Sequence, residues 1–138
     1  MYELIIVGGG PAGVSAGVYA ARKRLKTLLI TDSFGGQSVE SVGIENWIGT
    51  QKVAGGDFAK MLETHLRSYE GKDLEIKTKE WVEKISKTED GFEVKTGSNS
   101  YKSKTVLVAT GSTRRKLSIP GATEYENKGI TYCASCDG

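Results

Sequence analysis

The sequence has few of the residues that build metal sites, nucleic-acid surfaces or membrane spans. Its 138 residues include two cysteines, one histidine and two prolines, and only 8% are aromatic. The 19 basic and 17 acidic side chains leave a net charge of +2, which is too small for a dedicated nucleic-acid binder. No apolar run is long enough to cross a bilayer, and the first residues lack the charged region and cleavage site of a secretory signal. We therefore expect about one domain with a modest core, in the cytoplasm, with neither nucleic acid nor membrane as a partner.

What the sequence does have is a glycine-rich loop near its beginning. The apolar residues 3–7 lead directly into Gly8, Gly10 and Gly13, and small residues follow at helical spacing. In a dinucleotide site, Gly8 would permit the tight turn, Gly10 would let the backbone approach a pyrophosphate, and Gly13 would let helix and strand pack closely. Because an apolar strand precedes the loop and a small-residue helix follows it, we predict a genuine dinucleotide site.

A second apolar run, residues 27–31, completes a strand, helix, strand unit. Neither apolar run alternates with polar residues, as expected for parallel strands that are covered on both faces. Asp32 follows Gly13 by nineteen residues, where an acid can accept hydrogen bonds from a ribose hydroxyl. It stands one step past the predicted strand, so an ordinary turn aspartate is the alternative.

The two cysteines, Cys133 and Cys136, are separated by two residues, and Asp137 follows them. In a cytoplasmic protein such a pair is more often redox-active than structural, since the reducing compartment keeps ordinary disulfides open. Zinc is one alternative, but a tetrahedral site needs four ligands and the chain offers one CxxC motif and a single histidine, His65. Inert thiols are the other alternative. We predict a redox pair and no metal site.

Between these two motifs the pattern changes twice. The loop at residues 34–49 offers glycines that a ligand can approach and amides that both donate and accept, although a plain surface loop with one buried tryptophan fits as well. Asp57 is expected to cap an amphipathic helix. Short strands then follow over residues 74–103, with a hairpin turn at 89–91. A plain nicotinamide dehydrogenase would continue with alternating strands and helices, so this pattern disfavours that class. Residues 106–108 predict a buried strand that delivers residues 109–112 at its carboxyl end, where ligands of parallel sheets bind.

Taken together, these motifs resemble those of the bacterial-type, low-molecular-weight thioredoxin reductases and of the similar flavoprotein subunit of alkyl hydroperoxide reductase. The matching stretches follow the family's order: Gly-Gly-Gly-Pro-Ala-Gly at 8–13, Gly-Gly-Gln at 35–37, Ile-Glu-Asn-Trp at 44–47, Ala-Thr-Gly at 109–111, Ile-Pro-Gly at 119–121 and Gly-Ile-Thr-Tyr-Cys-Ala-Ser-Cys-Asp-Gly at 129–138. The resemblance implies an α/β, Rossmann-like FAD-binding fold with a parallel sheet and a β-meander. Residues 1–112 would be the N-terminal segment of the FAD domain. Residues 113–138 would be the interdomain connection and the start of an NADPH domain that carries the CxxC motif.

The same resemblance implies where FAD and the electrons go. Asp32 would lie near the adenosine ribose, and the backbone of Trp81 and Val82 near the adenine. In such enzymes NADPH reduces the flavin, the flavin reduces the CxxC disulfide, and the dithiol reduces a partner protein. By position, Cys136 would face the flavin, Cys133 would attack the partner, and Asp137 would protonate a leaving thiolate. The implied cofactor-binding residues are Gly8, Gly10, Pro11, Ala12, Gly13, Asp32, Gly36, Gln37, Asn46, Val82, Ala109, Thr110 and Gly111.

Length is the main departure from the family, because its members are longer and this chain stops where their NADPH domain begins. The resemblance therefore implies an NADPH site outside these residues, a thioredoxin-like partner, a homodimer at full length, and no turnover by this stretch alone. The flavoprotein of alkyl hydroperoxide reductase is the nearest alternative, but that protein carries an additional N-terminal domain. A non-enzymatic flavin-binding or redox-sensing module is the alternative from another class.

Overall fold

One six-stranded mixed sheet organises the chain in the computed structural model, which describes residues 1–113, 115–126, 128–130 and 132. The elements in chain order are β1 (Tyr2–Gly9), α1 (Pro11–Arg22), β2 (Thr27–Phe34), a 3-10 helix (Gly36–Glu40), α2 (Gly55–Arg67), β3 (Leu74–Lys77), β4 (Val82–Thr88), β5 (Gly91–Thr96) and β6 (Ser100–Val108). The strand order is β3-β2-β1-β6-β5-β4. The first four of these strands pair in parallel, while β6, β5 and β4 pair antiparallel as a meander. The predicted parallel sheet with a β-meander is confirmed.

The two faces of the sheet carry separate hydrophobic clusters. Successive strand residues point to opposite faces, so Ile6 of β1 packs in one cluster while its neighbours Ile5 and Val7 pack in the other. The first cluster includes the inward stripes of α1 and α2, which lie over β1 and β2. Burying each such side chain contributes roughly 1.5–3 kcal/mol, which explains why the apolar runs of β1 and β2 do not alternate with polar residues.

Two boundaries differ from the sequence prediction. Helix α2 is capped by Ala54 and not by Asp57, which lies in its first turn. The start of α2 is set by tertiary contact, because the Gly55 N–H donates to the Ser41 carbonyl at 2.9 Å. The second boundary is the end of β2, which continues past Thr31 to Phe34, so that Asp32 lies within the strand and not after it.

The last predicted strand is real but not buried. Residues 106–108 belong to the single long strand β6, which begins at Ser100 and so also includes the end of the region 74–103 in which short strands were predicted. Leu107 is 39% exposed and Val108 is 63% exposed, so the prediction of a buried strand is wrong. Among the described residues the two helices lie over β1 and β2, and this arrangement leaves the end of β6 partly open.

The turn after α1 holds a testable point of backbone strain. Arg24 has a φ of 57°, in the left-handed region that disfavours side chains by about 1–2 kcal/mol. It occupies the position after a helix C-cap where glycine is preferred, since its N–H donates to Ala21 and the Leu25 N–H donates to Ala20. We expect Arg24→Gly to raise the free energy of unfolding by about 1 kcal/mol, measured by urea denaturation.

Lys23→Gly is the matched control for this substitution. It removes one positive charge at the same helix end, but Lys23 has a φ of −87°, which any residue adopts. Glycine there is expected only to lower stability, by about 0.5–1 kcal/mol, through the entropy of the unfolded chain. Equal effects of the two substitutions would show that Arg24 is not strained.

Candidate functional site

The carboxyl ends of three parallel strands meet at the glycine loop. Gly9, at the end of β1, pairs with Phe34 at the end of β2, and its carbonyl accepts the Gly35 N–H at 3.0 Å. On the other side, the Ala109 N–H that follows β6 donates to the Val7 carbonyl at 2.8 Å. This edge is where open parallel sheets bind their ligands.

Two glycines of the loop allow main-chain segments to pack directly against each other. Gly8 has a φ of 118°, and a Cβ atom added there would lie 2.2 Å from the Ala109 carbonyl oxygen and 3.3 Å from the Thr110 Cα. A Cβ added at Gly13 would lie 1.9 Å from the Gly8 carbonyl oxygen. Since the obstacles are main-chain atoms, they cannot rotate away. Both positions require glycine for β1, α1 and the end of β6 to touch.

Gly10 differs because it borders open space. It is the N-cap of α1, and a Cβ added there would have no atom of the described residues within 4 Å. Gly36 lies close by, and a Cβ added to it would stand 3.6 Å from the Gly10 Cα. Pro11 begins the helix and Ala12 is exposed beside it. The two glycines therefore border a notch with no side chain of their own in it.

The notch lies at a helix N-terminus that suits an anion. Within the described part of the chain, no side chain caps α1 and its first turn has no acidic residue. The first N–H groups of a helix lack intrahelical partners, and the helix dipole makes this end positive. A pyrophosphate fits the combination of free N–H groups, positive dipole and absent Cβ atoms.

A second part of the site lies along the end of β2. The Asp32 carbonyl accepts the Lys79 N–H at 3.1 Å, and the Thr31 carbonyl accepts the Glu80 N–H at 3.3 Å. The chain then enters β4 at Val82, which packs against the cluster that contains Ile30. Asp32 itself is exposed. The structure thus brings Asp32 and the segment leading to Val82 to the same edge, although they are far apart in sequence.

Glu80 is a residue that the sequence pattern did not indicate. Its carboxylate accepts hydrogen bonds from the Tyr101 hydroxyl at 3.0 Å, the Thr96 hydroxyl at 3.1 Å and the Asn99 side-chain amide at 3.1 Å. Burial raises the pKa of Tyr101, and the hydrogen bond to Glu80 raises it further. The donors lie on β5, on β6 and in the turn between them. The register of the meander, in which Thr96 pairs with Val82, brings these donors to Glu80, and the sequence pattern does not show that register.

The remaining predicted residues lie around this edge or outside the described ranges. Gln37 follows Gly36 on the 3-10 helix and is exposed. Asn46 is exposed in a loop closed by an Ile44–Val53 bridge, beside Trp47, whose ring packs on Phe58 at 4.8 Å. Gly111 lies just after β6 with a φ of 65°. Cys133, Cys136 and Asp137 lie outside the described residues.

Other parts of the molecule do not extend this site. His65 is exposed on α2, with its ring 6.0 Å from that of Tyr69. A shallow cleft of about 510 Å³ lies at the opposite end of α1, where Arg22, Arg24 and Asp73 are among its lining residues. In the described ranges no three metal-ligating side chains cluster together. None of the helices described is both long and apolar enough to traverse a bilayer.

Comparison with known proteins agrees with this geometry. Residues 2–138 match the family described as pyridine nucleotide-disulphide oxidoreductase. The chain is 38% identical over 138 residues to NADH dehydrogenase of Bacillus subtilis (strain 168) and 40% identical over 139 residues to the F subunit of alkyl hydroperoxide reductase from Xanthomonas campestris pv. phaseoli. Each alignment covers 99% of this chain and 26% of the relative, so the chain spans about a quarter of their length.

A solved structure gives the same result for the fold. The thioredoxin reductase from Streptococcus pyogenes MGAS5005 matches with a TM-score of 0.83 and 37% identity, over 99% of this chain and 44% of that one. The resemblance of the motifs to thioredoxin reductases and to the flavoprotein of alkyl hydroperoxide reductase is confirmed. So is the Rossmann-like fold that the resemblance implied.

Proposed function

Because the chain belongs to the pyridine nucleotide-disulphide oxidoreductase family, we propose that it is the FAD-binding part of an NADPH-dependent disulfide reductase of the thioredoxin-reductase type. The observation that carries the proposal is the notch at Gly10 and Gly36, at the uncapped N-terminus of α1. We assign residues 1–112 to the FAD domain and 113–138 to the connection and the start of an NADPH domain.

FAD would lie along the carboxyl edge of the parallel strands. Its pyrophosphate would meet the backbone of the glycine loop, and its adenosine would lie between Asp32 and Val82. The other residues assigned to the cofactor are Gly8, Pro11, Ala12, Gly13, Gln37, Asn46, Ala109, Thr110 and Gly111. When bound, FAD would accept a hydride from NADPH and pass two electrons to a disulfide.

The dithiol would carry these electrons to the partner. The Cys133 thiolate attacks one sulfur of the partner's disulfide, forms a mixed disulfide, and releases the other sulfur as a thiolate that Asp137 protonates. The Cys136 thiolate then attacks the Cys133 sulfur, which releases the reduced partner and restores the CxxC disulfide. We propose a thioredoxin-like protein as this partner, a homodimer at full length, and the cytoplasm as the compartment that supplies NADPH.

The test is steady-state NADPH oxidation by the protein at its native length, loaded with FAD, with oxidised thioredoxin as acceptor. We expect sustained turnover that depends on thioredoxin. A folded, flavin-loaded protein that oxidises no NADPH with any protein disulfide would instead support a non-enzymatic flavin module.

One specific observation favours a second candidate, the 40% identity to the F subunit of alkyl hydroperoxide reductase. The discriminating measurement compares kcat/KM for oxidised thioredoxin with kcat/KM for the oxidised peroxide-reducing protein of such a system. A preference of at least about tenfold for either acceptor identifies the physiological partner class, because specificity is the ratio of these constants.

The notch itself gives a prediction that separates ligand binding from folding. Gly10→Ala adds a methyl group where the structure has open space, at a φ of −74° that alanine adopts. We expect little net change in stability, because a gain of about 0.4–1 kcal/mol from the less flexible unfolded chain is offset by the preference of a helix N-cap for glycine over alanine. FAD affinity should fall at least about tenfold, because a hydrogen bond to a charged group contributes about 1.5–3 kcal/mol and 1.4 kcal/mol is a factor of ten.

Gly56→Ala is the matched control for this experiment. Gly56 also has open space around its added Cβ among the described residues, but it lies in the first turn of α2 and not in the glycine loop. The control should be at least as stable as the unaltered protein, since alanine is favoured over glycine within a helix by up to about 1 kcal/mol, and it should keep its FAD affinity. Titration of the apoprotein with FAD, followed by flavin fluorescence, measures both variants. If Gly10→Ala binds FAD as tightly as Gly56→Ala does, the pyrophosphate does not contact Gly10.

A further inference from the structure

The segment that connects β3 to β4 is held against β2 by its main chain. The Lys79 N–H donates to the Asp32 carbonyl at 3.1 Å, and the Glu80 N–H donates to the Thr31 carbonyl at 3.3 Å. These two bonds place residues 79–82 beside the one acidic side chain that the sequence offers for a ribose. The position of this segment therefore decides what stands next to Asp32.

The same segment is held from the other side by the Glu80 carboxylate. Tyr101 donates to both of its oxygens, at 3.0 and 3.1 Å, and Thr96 and Asn99 each donate at 3.1 Å. Hydrogen bonds to an ionised acceptor are the strong class. Thr96 is buried and Tyr101 is half-buried, so these bonds tie the meander to residues 79–82 from within the fold.

The residue between the two attachments is conformationally strained. Lys79 has a φ of 59°, a left-handed conformation that a lysine keeps only when its surroundings fix it. The Asp32 carbonyl fixes one side and the Glu80 carboxylate fixes the other. Loss of the carboxylate would free Lys79 to relax and would let the segment move away from Asp32.

We infer that Glu80 is a positioning residue for the adenosine end of the dinucleotide site. It acts through the main chain of residues 79–82 and touches no ligand itself. Trp81, which is 70% exposed, and the backbone of Val82 are the groups that it holds in place. The inference rests on the proposed function, because it takes FAD as the ligand.

The test uses the protein at its native length and measures the dissociation constant of FAD from the apoprotein by flavin fluorescence. Glu80→Ala should weaken FAD binding at least about tenfold. Glu80→Gln, which keeps one accepting oxygen, should recover part of that loss. Glu83→Gln is the matched control, because Glu83 is an exposed carboxylate three residues further along on β4, and its variant should bind FAD as the unaltered protein does.

A second measurement distinguishes positioning from a general structural defect. The adenosine end is remote from the reacting flavin ring, so saturating FAD should restore the kcat of Glu80→Ala to that of the Glu83→Gln control. If Glu80→Ala does not fold, Tyr101→Phe replaces it, since this change keeps the ring and removes only the donated hydroxyl. Tyr101→Phe should weaken FAD binding by about threefold or more, because it removes only some of the hydrogen bonds that the Glu80 carboxylate accepts.

The possible outcomes separate this inference from the proposed function. If the unaltered protein binds FAD and both Glu80→Ala and Tyr101→Phe bind it as tightly as the control, the positioning role is wrong and the proposed function stands. A kcat that stays low at saturating FAD also overturns the positioning role. If the unaltered, folded protein binds no FAD, the proposed function fails and the inference fails with it.

Discussion

Gly13→Ala is expected to lower the free energy of unfolding by about 3 kcal/mol, the upper end for overpacking, and to eliminate FAD binding with it. The added Cβ would lie 1.9 Å from the Gly8 carbonyl oxygen and 2.9 Å from its carbon. Both are main-chain atoms of β1, so the clash is relieved only if α1 moves off the sheet. That movement would separate Val14 from the buried cluster that contains Ile6.

The measurement is urea unfolding of the apoprotein, followed by FAD titration of whatever remains folded. Gly10→Ala, three residues earlier in the same loop, is the control, because its methyl group enters open space. The two alanine variants should therefore differ in kind, with Gly13→Ala unstable and Gly10→Ala stable but weak in FAD binding. A Gly13→Ala variant as stable as the unaltered protein would contradict the close contact between α1 and β1.

Cys136→Ser is expected to reduce turnover with a protein disulfide by at least about 1,000-fold, as removal of a reacting nucleophile does. Serine has the size of cysteine, but its hydroxyl forms no disulfide and cannot complete the exchange. Reduction of the flavin by NADPH should continue at its normal rate, because that step precedes the dithiol. The protein at its native length is the one to test.

Two assays check this separation. Stopped-flow absorbance gives the rate of flavin reduction, and thioredoxin-dependent NADPH oxidation gives the turnover. Ser135→Ala changes the residue beside Cys136 without removing a thiol, and it should leave both rates unaltered. Retention of normal turnover by Cys136→Ser would exclude the proposed electron path through this pair.

The sequence predicted the glycine loop well because its constraints are local. A strand, a tight turn and a helix within about a dozen residues leave little choice of backbone, and Gly8 and Gly13 are the positions where main-chain atoms meet. The apolar runs of β1 and β2 likewise predicted buried parallel strands, since both faces of these strands are covered. Local pattern and tertiary structure agree in this half of the chain.

The errors arose where distant parts of the chain decide the local structure. The start of α2 is set by the carbonyl of Ser41, and the extension of β2 through Asp32 is supported by pairing with Gly9 and by the main chain of Lys79. The apolar run in β6 indicated a strand but did not indicate whether other residues cover Val108. None of these contacts leaves a periodic signal in the sequence.

The candidate site divides in the same way. The phosphate end could be derived from glycine spacing alone, because the absence of a side chain is itself the signal. The proposed adenosine end could not, since the main chain of residues 79 and 80, hydrogen-bonded to the end of β2, brings the segment leading to Val82 to Asp32, and Glu80 is held by donors on two other strands, Thr96 and Tyr101. Only the family resemblance indicated Val82.

The most direct test of the central claim is the visible absorption spectrum of the protein at its native length, purified after incubation with FAD and removal of free cofactor. We predict retained flavin absorbance that approaches one FAD per chain and is lower in Gly10→Ala but not in Gly56→Ala. A folded but colourless chain would contradict the claim that the glycine loop of these residues holds FAD.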